Sequence, residues 1–452
     1  MPWTTSCLAL ALAALAQQDD PAVARFRYPD GREGRVDRAE LARDVGARHR
    51  RGENGAEALR VLVDRELVAI EARAAGIEPT QQDVDACVAG IRAQVESAGA
   101  SLDDFLSARR MTRADFERNF VRFQVAHQRL VMRAVDLDDP AEVTPELQQL
   151  WLEEARGRHR VVTEESKLPP GMVAVVDDRR FDLADLGREL LPNVPDEEID
   201  KHLRRIVLRE LLRARAEAAD IKVTEADTRA EIEARRARIE SDPRYRGVSY
   251  ADWLRTTQGL TVDELARSPQ MVATVQQERL CALAFPRAEL ERRLREDREA
   301  VLRAHGERRA ISVILLRALE KPNEIVRRSF EAAREEVARL REELDGNQDF
   351  GRLARIHSED PHSKVRGGAL GEFTRGADDV PEPVLAAAFA MQPLEVSAPI
   401  RVPQGFCLVR VTKVIPAPDE PELLEALREE LAQGLLAEML EAAAIEVLGR
   451  DT

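Results

Sequence analysis

The sequence predicts an α+β protein that is mostly helical: two duplicated all-helical modules, then a small α+β domain, then a C-terminal helix. Three observations lead there. Apolar residues recur at helical spacing through most of the chain before Glu307, a stretch beginning at Ala56 aligns without a gap on one beginning at Asp200, and after Glu307 the pattern changes to β-branched apolar runs between short helical stretches.

The chain opens with MPWTTSCLALALAALAQQDDP, apolar from Cys7 to Ala16 and then polar, with Ala14-Leu15-Ala16 offering the small residues of a cleavage step. This predicts a signal peptide over residues 1–16, a mature chain starting near Gln17, and a periplasmic or otherwise extracytoplasmic location. The run is shorter than the ~20 residues a membrane-spanning helix needs. No later segment approaches that length, so no integral membrane segment is expected.

The first module, residues 22–160, and the second, residues 161–306 with its connecting helix, rest on internal alignment. AEALRVLVDRELVAIEARAAGIEPTQQDV (Ala56 to Val84) matches DKHLRRIVLRELLRARAEAADIKVTEADT (Asp200 to Thr228). Leu59, Leu62, Val63 and Leu67 fall on Leu203, Ile206, Val207 and Leu211, a helical stripe in both copies. Each stripe is followed by a threonine with an acid three residues on, Thr80 with Asp83 and Thr224 with Asp227, the mark of a capped helix start. SLDDFL and MTRAD then answer to SYADWL and LTVDE, with caps at Thr112 and Thr261. Upstream, FRYPDGREGRVDRAEL and MVAVVDDRRFDLADL each read as a short strand pair or turn leading into a helix. One repetition at about 145 residues is a duplicated domain, not a solenoid.

Composition excludes some functions. With 44% hydrophobic residues the chain supplies real cores, and its net charge is −15, with arginines interleaved among glutamates along helical segments. Nucleic acid is therefore not an expected partner. Of four cysteines, Cys7 leaves with the signal, and Cys87, Cys281 and Cys407 are far apart and odd in number, which predicts neither a disulfide framework nor a CxxC site.

The α+β domain spans residues 307–415 and the C-terminal helix lies in 416–452. ISVILL reads as a strand, KPNEIVRRSFEAAREEVARLREEL as one long helix, QDFGRLARI and PEPVLAAAFAM as short ones, and VSAPIRV and GFCLVRVTKV as two strands. The loop HSEDPHSKVRGGALGEF (His357 to Phe373) gathers the chemistry-bearing residues. Its lysine precedes the glycines, so it is no phosphate-binding GxxxxGK[ST] loop. His357, Asp360 and His362 lack a recognised metal spacing, and no nucleophile elbow is present. Neither a metal nor a cofactor is expected.

The strings DFGRLARIHSEDPHSKVRGGALGEFTRG and VPEPVLAAAFAMQPLEVSAPIRVPQGFCLVRV resemble the parvulin family of peptidyl-prolyl isomerases, and the whole architecture is similar to the SurA and PrsA type of exported folding factor. The resemblance implies that Gly367-Gly368 turn the chain so that Leu370 and Phe373 reach a peptide groove, which Val380, Phe389 and Gln404 also line. It assigns Asp360 to the acid near the substrate carbonyl, and Val313 and Cys407 to positions where the family carries histidines. Ala369 replaces the acid of the family's GGDLG, Pro383 replaces a phenylalanine, and Ala377-Asp378-Asp379 displace a methionine of the proline pocket. A charge at Asp379 inside that pocket is expected to oppose desolvation, the alternative being that the loop bulges outward there and Val380 or Phe389 fills the gap. The resemblance therefore implies a folding factor with unfolded or partly folded polypeptide clients and a parvulin domain of weak or absent isomerase activity. The alternatives are an active isomerase with a variant pocket and a fixed structural subunit of an envelope complex.

Overall fold

The computed structural model describes residues 22–448 apart from positions 110, 170, 243, 244, 246, 259, 323, 324 and 327. The expected signal segment, with Cys7, Ala14-Leu15-Ala16 and Gln17, lies outside the described residues. The chain forms two compact units, one running up to Arg279 and taking in the segment from Leu436, the other Leu280–Leu435.

In the first unit each repeat opens with a hairpin, so the modules are not all-helical. Strands β1 (Ala22–Arg27) and β2 (Glu33–Asp37) pair antiparallel and lead into α1 (Arg38–His49). Then follow α2 (Glu53–Ala75), α3 (Gln81–Ser97), α4 (Leu102–Ala108), α5 (Arg113–Phe116), α6 (Arg122–Val135) and α7 (Pro145–Arg158). The second repeat begins with β3 (Val161–Val162), β4 (Met172–Val176) and β5 (Arg179–Asp182), leading into α8 (Leu183–Leu190). It continues through α9 (Asp196–Ala218), α10 (Glu225–Ser241), α11 (Tyr250–Thr257), α12 (Val262–Ala266) and α13 (Pro269–Ala284). The hairpins escape a helical reading because Asp30-Gly31 and Asp177 turn the chain, Gly31 and Asp177 with positive φ, and alternate residues such as Ala24, Phe26 and Val36 are buried.

The duplication is visible in matched lengths and caps. Helices α2 and α9 each have 23 residues, and α3 and α10 each have 17. Thr80 with Asp83 and Thr224 with Asp227 form full capping boxes, and Ser101, Ser249, Thr112 and Thr261 each accept a backbone N–H of the next helix. Leu62, Val63 and Leu67 are buried, as are Leu203, Ile206, Val207 and Leu211, whereas Leu59 is half-exposed. Where the first repeat buries Val84 the second buries Thr228, whose hydroxyl donates to Ala266 O at 2.7 Å and so leaves no unmet polar group.

The repeats meet where α1 crosses α8. A Cβ on Gly187 would lie 1.6 Å from Ala42 O, and one on Gly46 2.0 Å from Leu183 O, so only glycine lets these two backbones touch. Beside the crossing, Asp44 accepts from His202 Nδ1 at 2.7 Å and from Arg205 at 2.8 Å, and Arg209 stands 3.6 Å from its other oxygen. His202 Nε2 is 3.3 Å from His49 Nε2.

In the second unit, α14 (Arg287–Glu296) and α15 (Arg298–His305) precede a four-stranded antiparallel sheet, ordered β7-β6-β9-β8. Its strands are β6 (Arg308–Arg317), β7 (Ala369–Phe373), β8 (Ile400–Val402) and β9 (Gly405–Ile415). Helices α16 (Phe330–Asp345) and α17 (Phe350–His357) cover one face through Val337, Leu340, Phe350 and Leu353 against Ile314, Leu316 and Leu408. After the short α18 (Pro361–Lys364), α19 (Glu382–Ala390) covers the other face. Helix α16 starts only at Phe330 because Ser329 caps it. The end of the chemistry-bearing loop is the edge strand β7, not loop. Helix α20 (Glu420–Ala442) packs Leu424 and Leu427 on Leu290, Leu294 and Val301, then stops short of the expected length, with Ala444 at positive φ. The following residues form β10 (Glu446–Val447), which pairs with β1 in the first unit.

Candidate functional site

Strand alternation decides what the sheet domain offers. Ile311 and Val313 of β6 and Cys407, Val409 and Val411 of β9 point to the α19 face, and Val313 pairs directly with Val409. They make an apolar floor. Val380, Leu385, Ala388 and Phe389 close over it, while Leu370 and Phe373 of β7 pack against its margin half-buried. Six of the expected site residues thus share one cluster: Val313, Cys407, Leu370, Phe373, Val380 and Phe389.

Asp360 and Gln404 are placed differently. Asp360 caps α18, accepting the backbone N–H of Ser363 at 2.9 Å and its hydroxyl, so its carboxylate is engaged within the loop. Gln404 is exposed in the turn joining β8 to β9, where its carbonyl accepts Ala318 N–H at 2.9 Å. A cavity of about 780 Å³ is lined by Leu319, Phe330, Arg401, Val402 and Pro403, and not by Val313 or Cys407.

The expectation that Asp379 charges the pocket is corrected. Asp378 and Asp379 are exposed, and Val380 turns in, 7% exposed, to fill the floor instead. The loop bulges because a carboxylate keeps its hydration only by facing water.

The loop motif itself is built to hold β6. Fully buried Ser358 accepts Leu315 N–H at 3.2 Å and Asp360 N–H at 3.4 Å, Glu359 N–H donates to Leu315 O at 2.7 Å, and Glu359 Oε2 accepts Arg317 N–H at 2.6 Å. Gly368 has φ +85°, and its carbonyl takes Val313 N–H at 2.8 Å. An added Cβ there would meet Val313 O at 2.5 Å, so a side chain would push the loop off the strand.

Sequence reasoning misses two arginines. The Arg375 guanidinium lies 4.4 Å from the Phe389 ring centroid and that of Arg309 5.4 Å away. Arg309 is anchored by Met391 O and Glu307, each at 2.8 Å. Its position in an alternating strand next to other arginines carries no distinguishing signal.

Electrostatically the floor is inert. Burial pushes the Cys407 thiol up to about 12, so it is neutral and unreactive near neutral pH. Among the described residues no three His, Cys, Asp or Glu side chains are grouped to hold a metal ion. The cluster is closed core, and its half-buried margin is Leu370 and Phe373, with guanidinium donors beside Phe389.

A small antiparallel sheet with helices on both faces and a Ser-Glu-Asp loop bonded to its first strand defines a parvulin domain, and the family described as "Rotamase: PPIC-type PPIASE domain" matches residues 314–413. The chain is homologous there to folding factors. It is 44% identical over 93 residues, 21% of this chain and 20% of the other, to the protein named Chaperone SurA from Thiobacillus denitrificans. It is 30% identical over 112 residues, 25% of this chain and 37% of the other, to Foldase protein PrsA from Oceanobacillus iheyensis. The crystal structure of peptidylprolyl isomerase PrsA from Bacillus anthracis aligns with 53% of this chain and 94% of its own, at 17% identity and a TM-score of 0.26. This chain thus spans 20% and 37% of the lengths of those two curated relatives.

Proposed function

We propose that the protein is an exported folding factor whose clients are unfolded or partly folded polypeptides, and whose parvulin domain holds peptide while catalysing prolyl isomerisation weakly or not at all. The apolar segment Cys7–Ala16 supports export, and the duplicated helical repeats support a holding role. The observation that carries the catalytic part is the floor, where Val313 and Cys407 are both buried among aliphatic side chains and the thiol stays protonated. Isomerisation must lower a barrier of ~18–20 kcal/mol set by the partial double bond of the peptide. Losing even ~3 kcal/mol of stabilisation of the twisted state slows it roughly a hundredfold.

A second reading, an active isomerase with a variant pocket, is favoured by one observation: with Asp379 outside and Val380 inside, the groove wall is apolar after all. Two assays on the full chain separate the readings: catalysed cis–trans exchange on a panel of Xaa-Pro peptides, and suppression of aggregation of an unfolded client. The first reading expects suppression with little or no exchange, and exchange at the rate of a fully equipped parvulin would overturn it. Export is checked by the intact mass of the protein from its native cells, expected to begin near Gln17.

A further inference from the structure

Taken residue by residue, the chain interleaves its arginines with acids and shows no basic patch, but folding makes one. On α17, Arg352, Arg355 and Ile356 share the exposed side while Phe350, Leu353 and Ala354 face the core. The loop after it brings Lys364, Val365 and Arg366 alongside: Lys364 Nζ donates to Ile356 O at 3.3 Å, and a Cβ on Gly367 would lie 3.3 Å from Arg355 Nη2. Ile356 is 56% and Val365 77% exposed, two of the few large apolar residues among those described that stand in solvent.

The cations of this face are not ion-paired, although the Asp349 carboxylate lies near Arg355. Elsewhere arginines sit on carboxylates, as Arg213 does between Glu210 and Glu217, or Arg229 between Glu225 and Asp263. Among the described residues, none of Arg352, Arg355, Lys364 and Arg366 has a carboxylate within 4.0 Å. The nearby acids are engaged: Asp349 caps the Arg352 N–H at 2.7 Å, Glu359 serves Arg317 and Arg328, and Asp360 holds Ser363.

We propose that this face is a docking site for acidic polypeptide segments that carry an aliphatic or aromatic residue between carboxylates, the apolar residue covering Ile356 and Val365 and the carboxylates pairing with the four cations. The inference rests on the folding-factor reading and names a class of client segment for it. Charge complementarity selects a peptide over an anionic membrane. An extended anionic plane laid on this face would also meet the acidic surface around it on a chain of net charge −15, whereas a flexible segment of a few residues touches this face alone, and charges beyond a Debye length of ~8–10 Å are screened from it. The face also adjoins Gly367-Gly368 and the β7 wall, so a bound segment is delivered beside the groove.

The test uses the full-length mature chain and a fluorescein-labelled peptide in which leucines are flanked by glutamates, with a counterpart carrying lysine for each glutamate. Affinity for the acidic peptide should fall about tenfold or more in Arg355→Glu/Arg366→Glu, and should weaken as salt is raised. Val365→Ser, which keeps every charge, should also weaken it. The lysine counterpart should not bind this face. Equal affinity in wild type and both variants overturns the proposal, as does charge-dependent binding only to vesicles of phosphatidylglycerol and phosphatidylethanolamine. Suppression of aggregation of a basic unfolded client, measured in parallel, should be unchanged in the variants. If the wild type suppresses aggregation but the peptide ignores the substitutions, the docking face fails and the folding-factor reading stands. If the peptide obeys them while no client is protected, the reverse holds.

Discussion

Between the two repeats, His202 is fully buried and shares its ring nitrogens between Asp44 and His49. On the floor of the parvulin domain, Val313 and Cys407, which the family resemblance sets against histidines, lie among aliphatic side chains. The chain therefore buries an imidazole at the junction and none in this cluster. At the junction His202 Nδ1 lies 2.7 Å from the Asp44 carboxylate and its Nε2 lies 3.3 Å from His49 Nε2, so polarity there specifies how one repeat registers on the other. The floor has no acid to play that part, and an imidazole placed on it would have to find its partner in a substrate.

The largest effect should come from breaking the junction. Gly187→Val forces a Cβ to within 1.6 Å of Ala42 O and should separate α1 from α8, removing ~4 kcal/mol or more and abolishing the cooperative unfolding of the first unit seen by urea titration. Asp44→Ala leaves His202 and Arg205 without their shared acceptor and should remove ~3 kcal/mol by the same measurement. A loss below ~1 kcal/mol would mean the polar cluster has no part in pairing the repeats.

The converse substitution acts on the floor. Val313→His/Cys407→His puts two imidazoles on an apolar floor, at a stability loss of ~2 kcal/mol from burial. If the floor is what limits catalysis, exchange on Xaa-Pro peptides should rise by roughly tenfold or more. A stable double variant with no gain would locate the deficit elsewhere, in the Arg375–Phe389 wall.

Protonation supplies a smaller effect with a definite sign. Burial first, and then the neighbouring His202, hold the His49 imidazole below its ordinary 6.5, with Glu198, Arg48 and Arg205 also around it. The unfolded chain then binds that proton more readily, so stability is lost as pH falls through about 6.5. His159 goes the other way. Burial alone would lower it, but the carboxylates of Asp177 at 2.7 Å and Glu71 at 3.1 Å raise it, so its contribution is complete below 6.5 and is lost as pH rises through its folded value. Urea midpoints followed between about pH 8 and pH 5 should show a shallower acid limb in His49→Gln and a shallower neutral limb in His159→Gln.

The smallest effect is expected at Asp360. Asp360→Ala removes a cap from a four-residue helix and should change stability by ~1 kcal/mol. A much larger fall in peptide exchange than in stability would return it to the chemistry.

The repeats are legible in the sequence because capping is local: a threonine and an acid three residues on signal a helix start whatever surrounds them, and both capping boxes stand where Thr80 and Thr224 mark them. The α1–α8 crossing is not legible, since Ala42, Gly46 and Gly187 are small residues like many others until two backbones are seen to touch. At the candidate site three of the four strands and six clustered side chains follow from alternation and the family pattern, while the edge strand Ala369–Phe373 reads as loop. The register of the loop at 377–380 does not, because an alanine, two aspartates and a valine carry no period to say which one faces inward. The patch at Ile356 and Val365 is hidden for the opposite reason: its charges are dilute along the chain and dense only in space. The strand Glu446–Val447 was too short for any period and reads as the tail of a helix.

That two-residue strand has a consequence for biosynthesis. Ala24 and Arg25 wait for Val447 and Glu446, and Arg27 N–H waits for Ala443 O at 2.8 Å. At ordinary elongation rates of ~5–20 residues per second, the edge of β1 is made about 20 to 80 s before the strand that covers it. During that interval it is an open template for any extended chain nearby. Pairing with β10 closes that edge, and a chain that stops before residue 446 keeps it open.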